Sequence, residues 1–324
     1  MSTPALTYDS VYLKPNYSTL SSRSLADTTT DFCGWKFKLP VVPANMVDVI
    51  SPLNAMWLAR NGYFYIYHRF DSLDNTASFI KSMNEIDSPL VSVSVGTKDY
   101  KRSLIDAYDW KWRVDFITID IAHAHSISVE SCVRWIKEYF PNVKIIAGNV
   151  ATYEGALFLQ KLGVSAIKVG ISGGSICSTK YKTGFHVPTL QSLQEINNPT
   201  QNDMRRVKDT ITTPLIADGG AQHYGDIAKA LTLGASMLMS GSWFASCIDS
   251  PAKMQNGKKI YRGSTSFEIK GVNHHVEGRA LEIEEGISYA DRLEEIKQAL
   301  QSSISYAGGK DLLAFKTVEY ILVK

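Results

Sequence analysis

Eight short β-branched or aromatic runs alternate along this chain with longer segments of helical period. The runs are Pro40–Ala44, Tyr63–Tyr67, Leu90–Val95, Asp115–Ile119, Val143–Ala147, Ala166–Val169, Pro214–Ala217 and Ser236–Met239. The helical patterns lie near 51–61, 74–87, 99–110, 127–139, 152–162, 189–209, 223–233 and 287–304. Parallel strands need a crossover between them, and a helix is the usual one. Repeated eight times, the alternation predicts an α/β fold of the closed (β/α)8 type, the TIM barrel, with its active site at the C-terminal face of the strands. A doubly wound sheet competes. It usually has fewer strands and a Gly-rich turn after its first strand, where this chain has Asn45-Met46. The length, 324 residues, suits one large barrel or two mid-sized domains. No Pro/Gly/Ser-rich linker or low-complexity tract marks a second domain, so 1–324 is expected to be one barrel domain.

Composition excludes several function classes. A net charge of +2 gives no basis for binding nucleic acid or an acidic membrane surface. No stretch approaches the roughly 20 apolar residues of a membrane span. Met1 to Asn16 is polar and is not read as a signal peptide. The four cysteines, Cys33, Cys132, Cys177 and Cys247, are widely spaced with no CxxC. That spacing fits a reducing cytoplasm rather than a disulfide framework or a Cys-rich zinc site. Cys132 and Cys247 read as small core residues.

The unusual residues fall at the ends of the strands. Asn45-Met46 follow the first run, His68-Arg69 the second and Gly96-Thr97 the third. Asp120, His123 and His125 follow the fourth, and Gly148-Asn149 the fifth. A small-residue loop carrying Cys177 follows the sixth, Asp218-Gly219-Gly220 the seventh, and Gly241-Ser242 the eighth. This is the face on which barrels build active sites. Small residues after the last two strands let backbone N–H groups approach a phosphate, and Asp218 can accept from ribose hydroxyls. The loop 170–180 can close N–H groups around an anion or present Cys177 as a nucleophile; a flexible connector with a structural cysteine is the plainer alternative. Asp120, His123 and His125 are zinc-compatible ligand types, which keeps a barrel zinc hydrolase as an alternative, although a catalytic zinc wants a third protein ligand set that the sequence does not offer convincingly. His274-His275 are adjacent and point apart in extended chain, so a solvated loop is expected there.

Five motifs, in order, resemble the inosine-5′-monophosphate dehydrogenase/guanosine-5′-monophosphate reductase family. They are Asp120-Ile-Ala-His-Ala-His-Ser126, Ala147-Gly-Asn-Val150, Gly170-Ile-Ser-Gly-Gly-Ser-Ile-Cys177-Ser-Thr179, Ile216-Ala-Asp-Gly-Gly220 and Tyr261-Arg-Gly-Ser264. The resemblance runs from about residue 10 to the C-terminus and implies the barrel fold. It also implies an N-terminal arm over about 1–39 and a short active-site segment over about 260–280. No inserted regulatory module is expected, because Val91–Gly96 runs straight into Thr97-Lys98-Asp99. The dehydrogenase flap with its Arg-Tyr pair is missing, and Leu300–Gly309 looks like the reductase branch. Where the family usually has Gly-Pro-Gly before its loop serine, this chain has Ser172-Gly173-Gly174, and losing the proline should loosen the loop.

The resemblance implies reductive deamination of GMP to IMP and ammonia with NADPH. Cys177 would attack the purine C2, with Thr179 and Glu277 relaying the proton that ammonia needs. Ser175, Asp218, Gly219, Gly220, Gly241 and Ser242 would hold ribose and phosphate; Gly263, Ser264, Thr265 and Gly278 would meet the base. Asp120, Ile121 and Ala122 would face the nicotinamide, with Arg69 near. Ser22, Arg23, Ser302, Ser303 and Ser305 would reach NADPH, in a neighbouring subunit's site if the chain forms the family's homotetramer. A monovalent cation such as K+ could sit on carbonyls of Ser172, Gly174 and Cys177; no divalent metal is expected. A flapless dehydrogenase turning IMP into XMP with NAD, and a non-catalytic purine-nucleotide sensor, are the alternatives.

Overall fold

The computed structural model describes residues 5–70, 73–197, 210–264 and 278–323. Seven strands form its main sheet: β1 (Val41–Pro43), β2 (Ser92–Val95), β3 (Phe116–Asp120), β4 (Lys144–Val150), β5 (Ala166–Val169), β6 (Leu215–Asp218) and β7 (Met237–Ser240). Every pairing is parallel, and the order across the sheet is β1-β7-β6-β5-β4-β3-β2. Each strand from β2 onward therefore lies beside its chain neighbour, and β1 lies beside the last strand. The two edges approach each other as the sheet curls: Asn45, just past β1, donates to Ser94 Oγ of β2 at 3.4 Å.

One expected strand is largely absent. Tyr63–Tyr67 supplies a single parallel bridge, Tyr67 to Val93. The Tyr65 hydroxyl donates to Leu90 O (2.9 Å) and accepts from Ser92 N (3.3 Å), so a side chain occupies groups that a backbone ladder would use. The other seven runs form strands within a few residues of their expected bounds.

Helices fill the crossovers as the periodicity predicts: Pro52–Arg60, Leu73–Glu85, Tyr100–Asp109, Ile127–Tyr139, Tyr153–Lys161, Thr189–Asn197, Gly225–Thr232 and Tyr289–Tyr306. The pattern expected to reach 209 is helical to Asn197, and 198–209 lie outside the described residues. Local chemistry sets several starts. Ser51 and Asn54 form a reciprocal capping box ahead of Pro52, and Thr152 and Ser288 cap the helices that follow them. Strands buried on both faces read as near-continuous apolar runs, and β4, β5 and β7 supply such residues as Ile145, Ile146, Ile167, Val169, Met237 and Leu238.

Three smaller sheets were not anticipated. Val11–Leu13 of the N-terminal arm pairs antiparallel with Tyr320–Leu322. A hairpin, Thr30–Phe32 with Trp35–Phe37, brings Phe32 and Phe37 against Phe64, and Phe64 meets Phe116 at the start of β3, with ring centroids 5.0–5.3 Å apart. Lys253–Gln255, Lys258–Arg262 and Ala280–Ile283 form an antiparallel sheet whose last two strands bracket residues 263–279. None of the helices, among the described residues, is long and apolar enough to cross a membrane.

Candidate active site

A cavity of about 690 Å³ opens where β1, β4, β5, β6 and β7 end, lined by Met46, Asn149, Gly170, the loop Ser172–Cys177, Asp218–Gln222 and Gly241-Ser242. Tyr261, Gly263, Ser264, Gly278 and Arg279 complete its wall from the small antiparallel sheet. The structure thus brings Ser175, Cys177, Asp218, Gly219, Gly220, Gly241, Ser242, Gly263, Ser264 and Gly278 to one space, although they are spread over more than a hundred residues. Thr265 and Glu277 lie outside the described residues.

Two glycines are required by close approach. Gly170 has φ +145°, and a Cβ there would overlap the Asp218 carbonyl. At Gly241 a Cβ would overlap the Tyr261 hydroxyl. Among the described residues that hydroxyl reaches only the weak acceptor Met46 Sδ, at 3.5 Å, and Tyr261 is 5% exposed. A buried phenol normally has a stronger partner. Burial raises the Tyr261 pKa, helped by Asp218 and Asp48, so it remains a donor at neutral pH. Tyr261 opens the motif Tyr261-Arg-Gly-Ser264, in which nothing local assigns it a role.

Cys177 is the one cysteine in the cavity wall. Its thiol donates to Thr179 Oγ1 at 3.2 Å, and its backbone bridges to Gly278. Thr179 opens the short helix Thr179–Thr183. Burial pushes the thiols of Cys33 and Cys132 up to about 12 and that of Cys247 up to about 11, so those three are poor sources of thiolate. The loop around Cys177 is tied down where proline was missed. The Ser172 hydroxyl accepts from Lys180 N at 3.0 Å, and Arg279 donates to Ser175 O from Nε (3.1 Å) and Nη2 (2.7 Å). Of the candidate cation ligands, Ser172 is buried at φ +63°, and Gly174 O accepts from Cys177 N at 3.1 Å.

Lys168, a lysine in the middle of an apolar run, has a role that local sequence does not assign. It is 2% exposed and donates to Asp120 Oδ1 (2.6 Å) and Asn45 Oδ1 (3.2 Å), while Asp218 Oδ2 stands 3.3 Å away. Burial lowers its pKa, but Asp120 and Asp218 more than offset this, and the net shift is upward. Burial likewise raises the Asp120 carboxyl, yet Lys168 and then Arg69 carry it below the usual carboxylate range. Arg69 Nε donates to Asp120 O at 2.9 Å. Asn149 donates to Asp218 Oδ2 at 2.8 Å and to Gly170 O at 2.8 Å. A lysine in an otherwise apolar strand was the available signal: it must find counter-charges once buried.

Arg69, Asp120, Ile121 and Ala122 do not line this cavity; Lys168 connects Asp120 to Asp218, which does. The rings of His123 and His125 are 6.3 Å apart, and His125 packs on Phe158. His68 is buried and stacked on Tyr67. No three His, Cys, Asp or Glu side chains gather among the described residues. Ser22, Arg23, Ser302 and Ser305 do not line the cavity: Arg23 donates to Ser302 Oγ at 3.2 Å, and Ser305 Oγ is 3.0 Å from Ser18 Oγ. Ser303 donates to Ala299 O and borders a smaller cavity.

A profile of the IMP dehydrogenase / GMP reductase domain matches residues 5–323. The chain is 44% identical over 322 residues to a GMP reductase of Staphylococcus carnosus, covering 98% of this chain and 96% of that one. It is 43% identical over 326 residues to GMP reductases of Lactobacillus gasseri and Streptococcus equi, covering 99% of this chain and 95% and 96% of theirs. The match spans nearly the whole chain, cavity-lining residues included, and the chain belongs to the IMP dehydrogenase / GMP reductase family.

Proposed function

We propose that this chain is a GMP reductase, catalysing GMP + NADPH + 2H+ → IMP + NH4+ + NADP+. The observation that carries the reading is Cys177, its thiol 3.2 Å from the Thr179 hydroxyl, in the wall of a cavity also built from the Gly219-Gly220 and Gly241 turns and Asp218. Relatives named GMP reductase that match over nearly their full length support the reductase branch.

In this reading the Cys177 thiolate bonds to the purine C2, splitting a difficult displacement into two steps. Thr179, with Glu277, delivers the proton with which ammonia leaves, giving a thioimidate on Cys177. NADPH, when bound, supplies the hydride that C2 receives as the C–S bond breaks. Asp218 accepts from the ribose, while backbone N–H groups of Gly219, Gly220, Gly241 and Ser242, with the Tyr261 hydroxyl and Ser175, hold the phosphate. Gly263, Ser264, Thr265 and Gly278 border the base.

The residues fit a nicotinamide cofactor. The ionised Asp120 carboxylate is an acceptor for a carboxamide NH2, and Arg69 and Lys168 keep it charged. The guanidinium of Arg23 with the hydroxyls of Ser22, Ser302, Ser303 and Ser305 is a donor set suited to the adenosine-phosphate end. Because those residues do not line the cavity, a neighbouring subunit would bring them to it, in a homotetramer. We further infer a single domain, closed as a (β/α)8 barrel with Tyr63–Tyr67 as its remaining stave. A monovalent cation on Ser172, Gly174 and Cys177 carbonyls, and a cytoplasmic location, complete the reading.

The test is absorbance at 340 nm. GMP-dependent oxidation of NADPH with release of ammonia is expected. Reduction of NAD+ by IMP without it would point to a dehydrogenase, and GMP binding with neither reaction to a sensor.

A further inference from the structure

The geometry points to Asp48 as a positioning residue for Cys177. Asp48 follows Met46 in the loop after β1 and is 0% exposed. Among the described residues its carboxylate has Arg262 as its hydrogen-bond partner. Arg262 donates to Oδ2 from its backbone N (2.8 Å) and from Nε (2.8 Å), and its Nη2 meets Oδ1. Gripping both the backbone and the fork of Arg262 fixes the position and the direction in which the chain leaves the strand Lys258–Arg262. A planar guanidinium held on a carboxylate gives geometric definition that a single contact lacks.

What leaves that strand is the active-site segment. Gly263 N donates to Arg279 O (3.0 Å), and Arg279 N donates to Ile176 O (3.0 Å), next to the nucleophile. Gly278 bridges to Cys177 itself. The packing at Gly263 leaves no slack: a Cβ there would stand 2.8 Å from Gly278 Cα and 3.4 Å from Ile176 O. A line of contacts thus runs from Asp48 by hydrogen bonds to Arg262, through the peptide bond to Gly263, and by hydrogen bonds through Arg279 to Ile176 in the Cys177 loop. Asp48 touches neither substrate nor cysteine in this line. It sets where the far end of the line can be.

The catalytic consequence rests on the proposed function, but the tether does not, and two readouts keep them separate. The first is amide hydrogen exchange, read by mass spectrometry, on unliganded wild type, Asp48→Asn and Arg262→Lys. Asn removes the charge, and Lys keeps the cation but loses the fork, so at least one variant should fold with wild-type circular dichroism. Lost protection is expected at Gly263 and Arg279 as well as at Arg262. The second readout is kinetic. A displacement on the order of 1 Å at a reacting group costs about 10²-fold in rate, so kcat for GMP should fall by roughly that factor in Asp48→Asn. Adduct formation on Cys177 from IMP and NADP+ should fall in parallel, with the KM for NADPH within about twofold of wild type. Protection lost at Arg262 alone, or kcat within twofold of wild type in a variant of lowered Tm, would overturn the proposal and leave a purely structural ion pair. A wild-type protein that does not oxidise NADPH with GMP sinks the functional reading instead, and the exchange pattern still decides the tether.

Discussion

Replacing Lys168 by Met tests how the interior of the sheet is held. The substitution is close in volume but removes the ammonium that stands 2.6 Å from Asp120 Oδ1 and 3.3 Å from Asp218 Oδ2. Both carboxylates then lose a buried counter-charge. Removing one member of a buried ion pair typically costs about 3–5 kcal/mol. The pair here is completely enclosed on the lysine side, which is 2% exposed, while Asp120 and Asp218 are 18% and 22% exposed. Solvent reaches the carboxylates, Arg69 Nε remains 3.9 Å from Asp120 Oδ2 and Asn149 still donates to Asp218, so the lower end, about 3 kcal/mol, is the expected loss at pH 7. Urea denaturation of wild type and variant measures it.

The pH dependence gives the sharper check. In the wild type the Asp120 pKa is depressed, so its contribution to stability is present above its unfolded value and is lost as the pH falls through the folded one. Lys168 is shifted upward, so its contribution is present below its unfolded value and is lost as the pH rises through the folded one. In Lys168→Met the main force lowering the Asp120 pKa is gone and burial raises it. Protonating Asp120 then relieves the uncompensated charge, so the stability gap between wild type and variant should narrow on acidification from pH 7 toward pH 5. A gap under about 1 kcal/mol that stays constant with pH would refute the assignment of Lys168 as the buried counter-charge.

Four further outcomes are expected. Cys177→Ser should still bind GMP by calorimetry while turnover falls to background, because an alcohol offers no accessible anion; wild-type rates would end the covalent mechanism. Asp218→Ala should weaken GMP by about 1.5–3 kcal/mol, the usual worth of hydrogen bonds to a charged group, and NADPH far less; equal losses would show that Asp218 is not the ribose ligand. Tyr261→Phe should weaken GMP by about 0.5–1.5 kcal/mol but leave binding of guanosine, which has no phosphate, unchanged; a matching loss for guanosine would move Tyr261 away from the phosphate. Glu277→Gln should lose about 10²–10⁴-fold in GMP reduction yet still form the Cys177 adduct from IMP and NADP+, detected by mass spectrometry. If adduct and turnover vanish together, the proton relay belongs elsewhere.

The alternation of apolar runs and helical periods was enough to locate seven parallel strands and their crossover helices, because burial on both faces and helix amphipathicity write themselves into local sequence. The same local record placed Cys177, Asp218 and the glycine turns at strand ends, and the cavity gathers them there. Tyr63–Tyr67 has strand-like composition, yet the Tyr65 hydroxyl, a group whose partner no local pattern names, takes hydrogen bonds that the ladder would have used. Lys168, Asp48 and Arg262 take no role from local sequence for a related reason. A lysine among aliphatic residues or an aspartate between two valines has no local meaning. Each acquires one only when the curled sheet and the small antiparallel sheet bring a counter-charge from 48, 50 or 214 positions away. Local sequence specifies which groups are polar and which elements carry them. The tertiary structure decides which of those groups lose their water together, and a charge that has lost its water is held in place by whatever replaces it.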